Sequence, residues 1–193
     1  MRIERLRLEN FRSYREEAVA FDPVCNVIFG ENAQGKTNLL EALICLSCGR
    51  SPRTRSDREL ISFGQPGFVL EGTVFSRERS FVSRIEAGFG RKKRISVNKV
   101  PAKAASELSQ VLSTVYFSPE DLQLIRDGAA QRRRFMDASL CQLRPRYAEA
   151  LGEYGRLYEH KTRILRDSDQ RPDLLSALPD FNRRLAETGA VLI

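Results

Sequence analysis

The chain has 193 residues, 32 Lys and Arg against 25 Asp and Glu, a formal net charge of +7 and 41% hydrophobic residues. Such a composition supports a packed core and excludes a disordered chain; no apolar run approaches the roughly 18–20 residues of a membrane span, and Met1-Arg-Ile-Glu-Arg5 is no apolar leader. Four cysteines do not make a disulfide framework, so a cytoplasmic protein with an anionic partner such as nucleic acid is expected.

Residues 3–8 alternate imperfectly, with Ile3, Leu6 and Leu8 apolar, and residues 16–21 alternate around Glu17, Val19 and Phe21. Both read as strands. Asp22-Pro23 marks a turn, and residues 24–29 form a nearly continuous apolar run that predicts a third strand. Residues 36–48 read as a helix that is apolar almost all round and hence buried, with Gly49 as its stop. Residues 68–75, 81–87 and 95–97 predict an antiparallel meander, with a charged turn at 76–80 and the basic cluster Arg91-Lys92-Lys93-Arg94 between its later strands. A short helix over 102–112 and a strand over 114–117 follow. Ser118-Pro119-Glu120-Asp121 has the form of a helix start, with an N-cap, an N1 proline and two first-turn acids. Beyond it, Tyr147, Leu151, Tyr154, Tyr158 and Leu165, then Leu174, Ala177, Leu178, Phe181 and Leu185, fall at helical spacing around residues 168–172. An antiparallel helical hairpin is expected there. The division expected is a lobe of mixed strands and helices over 1–117 and a helical subdomain over 118–193.

One motif carries specific chemistry. Gly30-Glu31-Asn32-Ala33-Gln34-Gly35-Lys36-Thr37 matches G-x-x-x-x-G-K-[ST] in full. Two glycines let successive backbone N–H groups curl around a phosphate with no Cβ in the way. Lys36 supplies a cation to the β- and γ-phosphates, the Thr37 hydroxyl completes a Mg²⁺ shell, and the helix begun at Lys36 aims its positive end at the same anion. A nucleotide with Mg²⁺ is therefore the expected ligand. The only Asn-Lys pair, Asn98-Lys99-Val100-Pro101, lacks the Asp of a guanine-reading N-K-x-D motif, and the meander does not suit the alternating parallel sheet of a small-molecule kinase.

Met1-Arg-Ile-Glu-Arg-Leu-Arg-Leu-Glu-Asn-Phe-Arg-Ser-Tyr14, followed by the loop from Gly30 to Asn38, resembles the N-termini of SMC-like ABC ATPases. Gly49-Arg-Ser-Pro-Arg-Thr54, Phe117-Ser-Pro-Glu-Asp-Leu122 and Arg132-Arg-Arg-Phe-Met-Asp137 resemble the RecF family of bacterial recombination-repair proteins in particular. The resemblance implies an α/β P-loop ABC-type ATPase lobe with an antiparallel meander and a helical subdomain. It also implies ATP-controlled DNA binding at duplex and gap junctions, work with RecR and RecO in loading recombinase, and ATP-dependent pairing of two heads as a homodimer. Asn32 and Asn38 match the family loop. Arg12 stands where related heads bring a basic residue to the nucleotide; a solvated charge after the first strand is the alternative. No Gln lies at the crossing near residue 117 where such heads take a Mg²⁺ contact; Glu120, Asp121 and Gln123 are the available substitutes, against an ordinary helix start. No apolar run ending in Asp-Glu and no Ser-Gly-Gly signature follows the loop, so an N-terminal piece that binds ATP and hydrolyses it poorly is expected. Two other readings stay open: an SMC-like head with different cargo, and a non-hydrolysing DNA-binding module with ATP as its switch.

Three basic groups are candidates for DNA phosphates: the loop with Arg50, Arg53, Arg55 and Arg58, the turn Arg91 to Arg94, and Arg126 with Arg132 to Arg134. Arg53 and Arg55 are preferred for coupling DNA to nucleotide, because their loop follows the nucleotide helix. Phe89 and Tyr116 read as isolated core or turn residues, which leaves no evident stacking platform. Cys45 and Cys48 read as small core residues, and His160 as a surface residue without a role.

Overall fold

A computed structural model describes residues 1–54, 56–124, 126 and 128–193, and for Glu120 and Gln123 the backbone alone. Two compact units divide it, Met1–Gln123 and Leu124–Ile193.

The first unit is built on one antiparallel sheet of six strands. They are β1 (Arg2–Phe11), β2 (Tyr14–Ala20), β3 (Gly67–Ser76), β4 (Arg79–Gly88), β5 (Arg91–Val97) and β6 (Val100–Pro101). Their order across the sheet is β2-β1-β3-β4-β5-β6. Three tight turns set the register. Arg77 and Glu78, then Asn98 and Lys99, all have positive φ, the pairing of a type I′ turn whose twist matches the flanking strands. At the third, Phe11 pairs directly with Tyr14, leaving Arg12 and Ser13 as the tip of the first hairpin.

Period-two alternation explains which face is covered. Leu6, Leu8, Phe68, Leu70, Val74 and Ile85 are buried on one side of the sheet. Helix α1 (Lys36–Cys48) and helix α2 (Ser106–Val111) complete that core with Leu39, Ala42, Cys45, Leu46, Leu108 and Val111. Phe11 meets Phe68 edge to face, with ring centroids 5.4 Å apart. Each fully buried leucine of this set contributes about 1.5–3 kcal/mol. Helix α1 has the bounds expected from the sequence and stops at Gly49, whose N–H bonds the Cys45 carbonyl. Burial pushes the Cys45 thiol up, so it stays a protonated core group.

Two expected strands are absent from the sheet. Neither residues 24–29 nor residues 114–117 have a ladder partner among the described residues. Val24 and Phe29 are 92% and 89% exposed, and Val115 and Phe117 are 103% and 73% exposed. Their composition favours β structure, but a strand exists only where a neighbour takes its N–H and C=O groups. The chain between β2 and the glycine loop instead forms a local turn, in which the Asp22 carboxylate accepts the N–H groups of Val24 and Cys25. Helix α2 is shorter than expected, and Pro119–Gln123 is a single 3₁₀ turn. There the Asp121 carboxylate accepts the Ser118 N–H, capping the turn with its acid.

The second unit holds α3 (Ala129–Leu143), α4 (Pro145–Asp167), a 3₁₀ turn at Pro172–Ala177 and α5 (Leu178–Gly189). Helices α4 and α5 form the expected hairpin, joined by an Arg184–Glu153 ion pair of 2.9 Å and a His160–Phe181 ring contact. Tyr147 on α4 donates to Asp137 on α3 at 2.7 Å, which pushes the phenol up to about 12.

Helix α1 approaches β3 at a residue with no side chain. A Cβ at Gly72 lies 2.8 Å from Leu46 Cδ1 and 3.3 Å from Ile3 Cδ1. Gly72→Val is expected to cost about 1–3 kcal/mol by overpacking, read as a lower urea midpoint at unchanged slope. A wild-type midpoint would mean that α1 is not seated on β3 at this point.

Candidate functional site

The glycine loop is held from outside by the tip of the first hairpin. Arg12 has positive φ, its N–H bonds the Leu60 carbonyl at 2.7 Å, and its own carbonyl accepts the Ser62 hydroxyl at 2.7 Å. This locks the turn, and Ser13 and Tyr14 then face the loop. The Tyr14 hydroxyl donates to the Gly35 carbonyl at 3.2 Å, and Asn38 Nδ2 donates to Ser13 Oγ at 3.0 Å. Burial raises the Tyr14 phenol, with Glu17 adding to it, so the hydroxyl stays a donor.

Gly35 is the N-cap of α1 at φ 94°, a left-handed conformation that L side chains rarely adopt. A Cβ there lies 2.8 Å from Ser13 Oγ and 3.1 Å from the Tyr14 ring, so sterics and torsion both select glycine. Gly30 has φ 146° and open space around it. The Lys36 ammonium folds back on its own loop, donating to the Gly30 carbonyl at 2.8 Å and the Glu31 carbonyl at 2.6 Å. Thr37 is exposed in the first turn of α1, beside a half-buried Asn38. Glycine torsions, an ammonium across the loop, an exposed hydroxyl and the positive end of a thirteen-residue helix together fit a nucleoside triphosphate with Mg²⁺.

Sequence reasoning passed over the residue behind this loop. Glu41, in the second turn of α1, is 1% exposed. Arg12 grips it in fork geometry, with Nε to Oε2 and Nη2 to Oε1 both at 2.9 Å, and Arg12 Nη1 reaches the Glu59 carbonyl at 2.8 Å. Arg53 Nη1 bridges Glu41 Oε2 and Asn38 Oδ1, each at 3.2 Å, and the Ser51 hydroxyl donates to Glu41 Oε1. Burial pushes the Glu41 carboxyl up. Hydrogen bonds from Arg12 and Ser51 and the charges of Arg12 and Arg53 outweigh it, holding the group below its ordinary value of 4.5. Arg12 is raised in return, chiefly by its hydrogen bonds to Glu41. The available signal was one acid inside an otherwise apolar helix with arginines in the segments on either side. In the structure Arg12 is a partner of Glu41, one turn of α1 beyond Thr37.

The basic groups fare differently. Arg53 is half exposed and tied to the nucleotide helix through Asn38 and Glu41; Arg55 lies outside the described residues. Lys93 is committed internally, donating to the Gly49 carbonyl at 2.8 Å and pairing with Asp57 at 2.9 Å. That bridge draws the turn at 88–93 against residues 56–58, so two clusters distant in sequence share one surface with Arg58, Arg91 and Lys92. Arg94 is exposed on β5. In the second unit Arg133 and Arg134 are exposed on α3.

Residues 5–167 match the family model described as an AAA domain. The chain belongs to this family. Among curated proteins it is similar to the DNA replication and repair protein RecF of Agathobacter rectalis, 38% identical over 100% of this chain and 53% of that protein. It is also similar to the RecF of Acetivibrio thermocellus, 37% identical over 98% of this chain and 52% of that one. The chain thus spans about half the length of the curated relatives it matches. A solved structure of the recombination mediator RecF with ATP, from the RecFOR pathway, superposes with a TM-score of 0.89 at 31% identity, covering 98% of this chain and 51% of that one. An SMC ATPase shares the fold at a TM-score of 0.56 and 20% identity over 70% of this chain. The RecF-family resemblance read from the sequence is borne out, as is the fold class of an α/β P-loop ATPase lobe with an antiparallel meander.

Glu41→Gln keeps the shape of this site and removes its charge. A loss of about 1–3 kcal/mol is expected, as for a buried polar group losing its partners. Because the folded carboxyl titrates below its unfolded value, its contribution is present above about 4.5 and fades as pH falls through the folded value. Thermal melts from pH 7 to pH 3 should therefore show the wild type–variant gap closing on the acid side. A gap independent of pH would mean that Glu41 carries no net charge in the fold.

Proposed function

We propose that this chain is the nucleotide-binding lobe of a cytoplasmic recombination-repair ATPase that grips DNA under the control of ATP. The observation that carries the reading is the loop at Gly30–Thr37, with its glycine torsions, its ammonium and its helix. Similarity to RecF proteins over nearly the whole chain supports the same reading. DNA at duplex and gap junctions, RecR and RecO, and a second ATP-bound copy of the head are the partners of the assembly.

The chain's own residues divide the work. Backbone N–H groups from Gly30 to Thr37, with Glu31, Asn32, Ala33 and Gln34 forming the curve, line the phosphate site. With nucleotide bound, Lys36 would exchange its loop carbonyls for phosphate oxygens and the Thr37 hydroxyl would hold Mg²⁺, while Asn38 ties the first helical turn to the hairpin tip at Ser13. Bound ATP would supply the phosphoryl group for transfer, and Mg²⁺ would supply charge neutralisation on its phosphates. Arg12 braces the loop through Glu41 and stands one step from the nucleotide. Arg53 and Arg55, with Arg91, Lys92, Lys93 and Arg94, give the DNA-facing charge; Lys93 acts from within its bridge to Asp57. Arg53 shares Asn38 and Glu41 with the nucleotide helix, so occupancy of the loop and the reach of the arginine segment are mechanically linked.

Lys36→Ala should weaken binding of a fluorescent ATP analogue at least tenfold while leaving the fold intact by circular dichroism. Unchanged affinity would refute the loop as the nucleotide site. Turnover by this chain alone should stay near background even with DNA, because its sequence has no apolar run ending in Asp-Glu to activate water. Arg53→Ala should flatten the dependence of duplex affinity on salt by about one unit of slope; an unchanged slope would remove this loop from the interface.

A further inference from the structure

We propose that Phe63 and Phe89, set among Arg58, Arg91 and Lys92, form a base-stacking site for single-stranded nucleic acid. This rests on the reading of the chain as a DNA-binding lobe.

The two phenylalanines are distant in sequence but line one open cavity of about 600 Å³ with Arg58, Gln65 and Pro66. That volume lies in the ~300–1,000 Å³ range of ligand sites. Phe63 is 104% exposed and Phe89 is 56% exposed. A phenylalanine left in water forgoes about 1.5–3 kcal/mol of burial, and this one is displayed by ordered backbone. The Gln65 N–H bonds the Ser62 carbonyl at 3.0 Å, closing the turn that carries Phe63, and the Phe89 N–H bonds the Pro66 carbonyl at 3.0 Å, fixing the second ring to the first loop. Phe89 is thus not isolated, as its place in the sequence suggested.

The charge around the rings selects the occupant. A second cavity of about 410 Å³ shares Arg58 and Ile61 with the first and adds Arg91 and Lys92. No ion pair engages Arg58, Arg91 or Lys92 among the described residues, whereas the one acid lining that cavity, Asp57, is already paired with Lys93. Exposed π faces beside uncommitted cations match a flexible polyanion that carries rings of its own. Successive bases stack on the aromatics while phosphates track the arginines and the lysine. Duplex DNA keeps its bases stacked internally and gains only the charge contacts, so the rings favour single strands.

The test uses the whole chain, a fluorescent thymidylate dodecamer and a duplex of equal length. Phe63→Ala and Phe63→Leu should each weaken the single strand about tenfold, with less than a twofold effect on the duplex and no change in salt slope. Phe63→Trp should restore single-strand affinity. Arg91→Ala with Lys92→Ala should instead weaken both ligands and lower the single-strand salt slope by about 1.4. Full affinity of Phe63→Ala for the dodecamer overturns the proposal and leaves Phe63 as an anchor for a protein surface. Retention by Phe63→Leu also overturns it, because an apolar contact would then suffice without stacking. Wild-type binding to duplex with none to the dodecamer defeats this inference alone; binding to neither defeats the DNA-binding reading with it.

Discussion

A single carboxylate inside the first helix organises the nucleotide end of the molecule. Glu41 is buried where α1 packs against the sheet, and an isolated charge there would cost several kcal/mol. Its satisfaction requires guanidinium groups from two directions, Arg12 from the hairpin tip and Arg53 from the segment after the helix. Meeting that requirement fixes the turn between β1 and β2, which in turn places Ser13 and Tyr14 against Gly35. The geometry of the glycine loop is therefore inherited from an ion cluster that lies outside the loop itself. Ser51 and Arg53 are held by the same carboxylate, through the Ser51 hydroxyl and the Arg53 guanidinium.

Much of this was legible in the sequence, for reasons of locality. The glycine loop announces itself because its chemistry is contained in eight consecutive residues. The bounds of α1 follow from a lysine after glycine at one end and Gly49 at the other. The meander follows from alternation over residues 68–87 with turns of fixed length. Each feature is read from one contiguous run of residues.

What stayed hidden depends on distance along the chain. Glu41 sits in an apolar helix and finds its partners 29 positions before and 12 after, a pattern that no periodicity reports. The apolar runs at 24–29 and 114–117 have β composition, yet pairing is a property of a neighbour rather than of a segment. Lys93 was indistinguishable from its basic neighbours until Asp57 was brought beside it. Phe63 drew no notice, because exposure of an aromatic is decided by the turn that carries it.

The lysine folded onto its own loop has an electrical consequence. Held by the Gly30 and Glu31 carbonyls, the ammonium keeps its charge, while the two carbonyl dipoles that partly offset it are ones a ligand must replace. A dilute monovalent anion gains too little to break those bonds, since one charge in water recovers only about 1 kcal/mol at contact distance. A polyphosphate offers several oxygens to the lysine and the backbone at once and replaces everything it displaces. Release of the lysine is thus coupled to the number of oxygens an anion brings: one oxygen replaces one carbonyl, and a ligand with several replaces both.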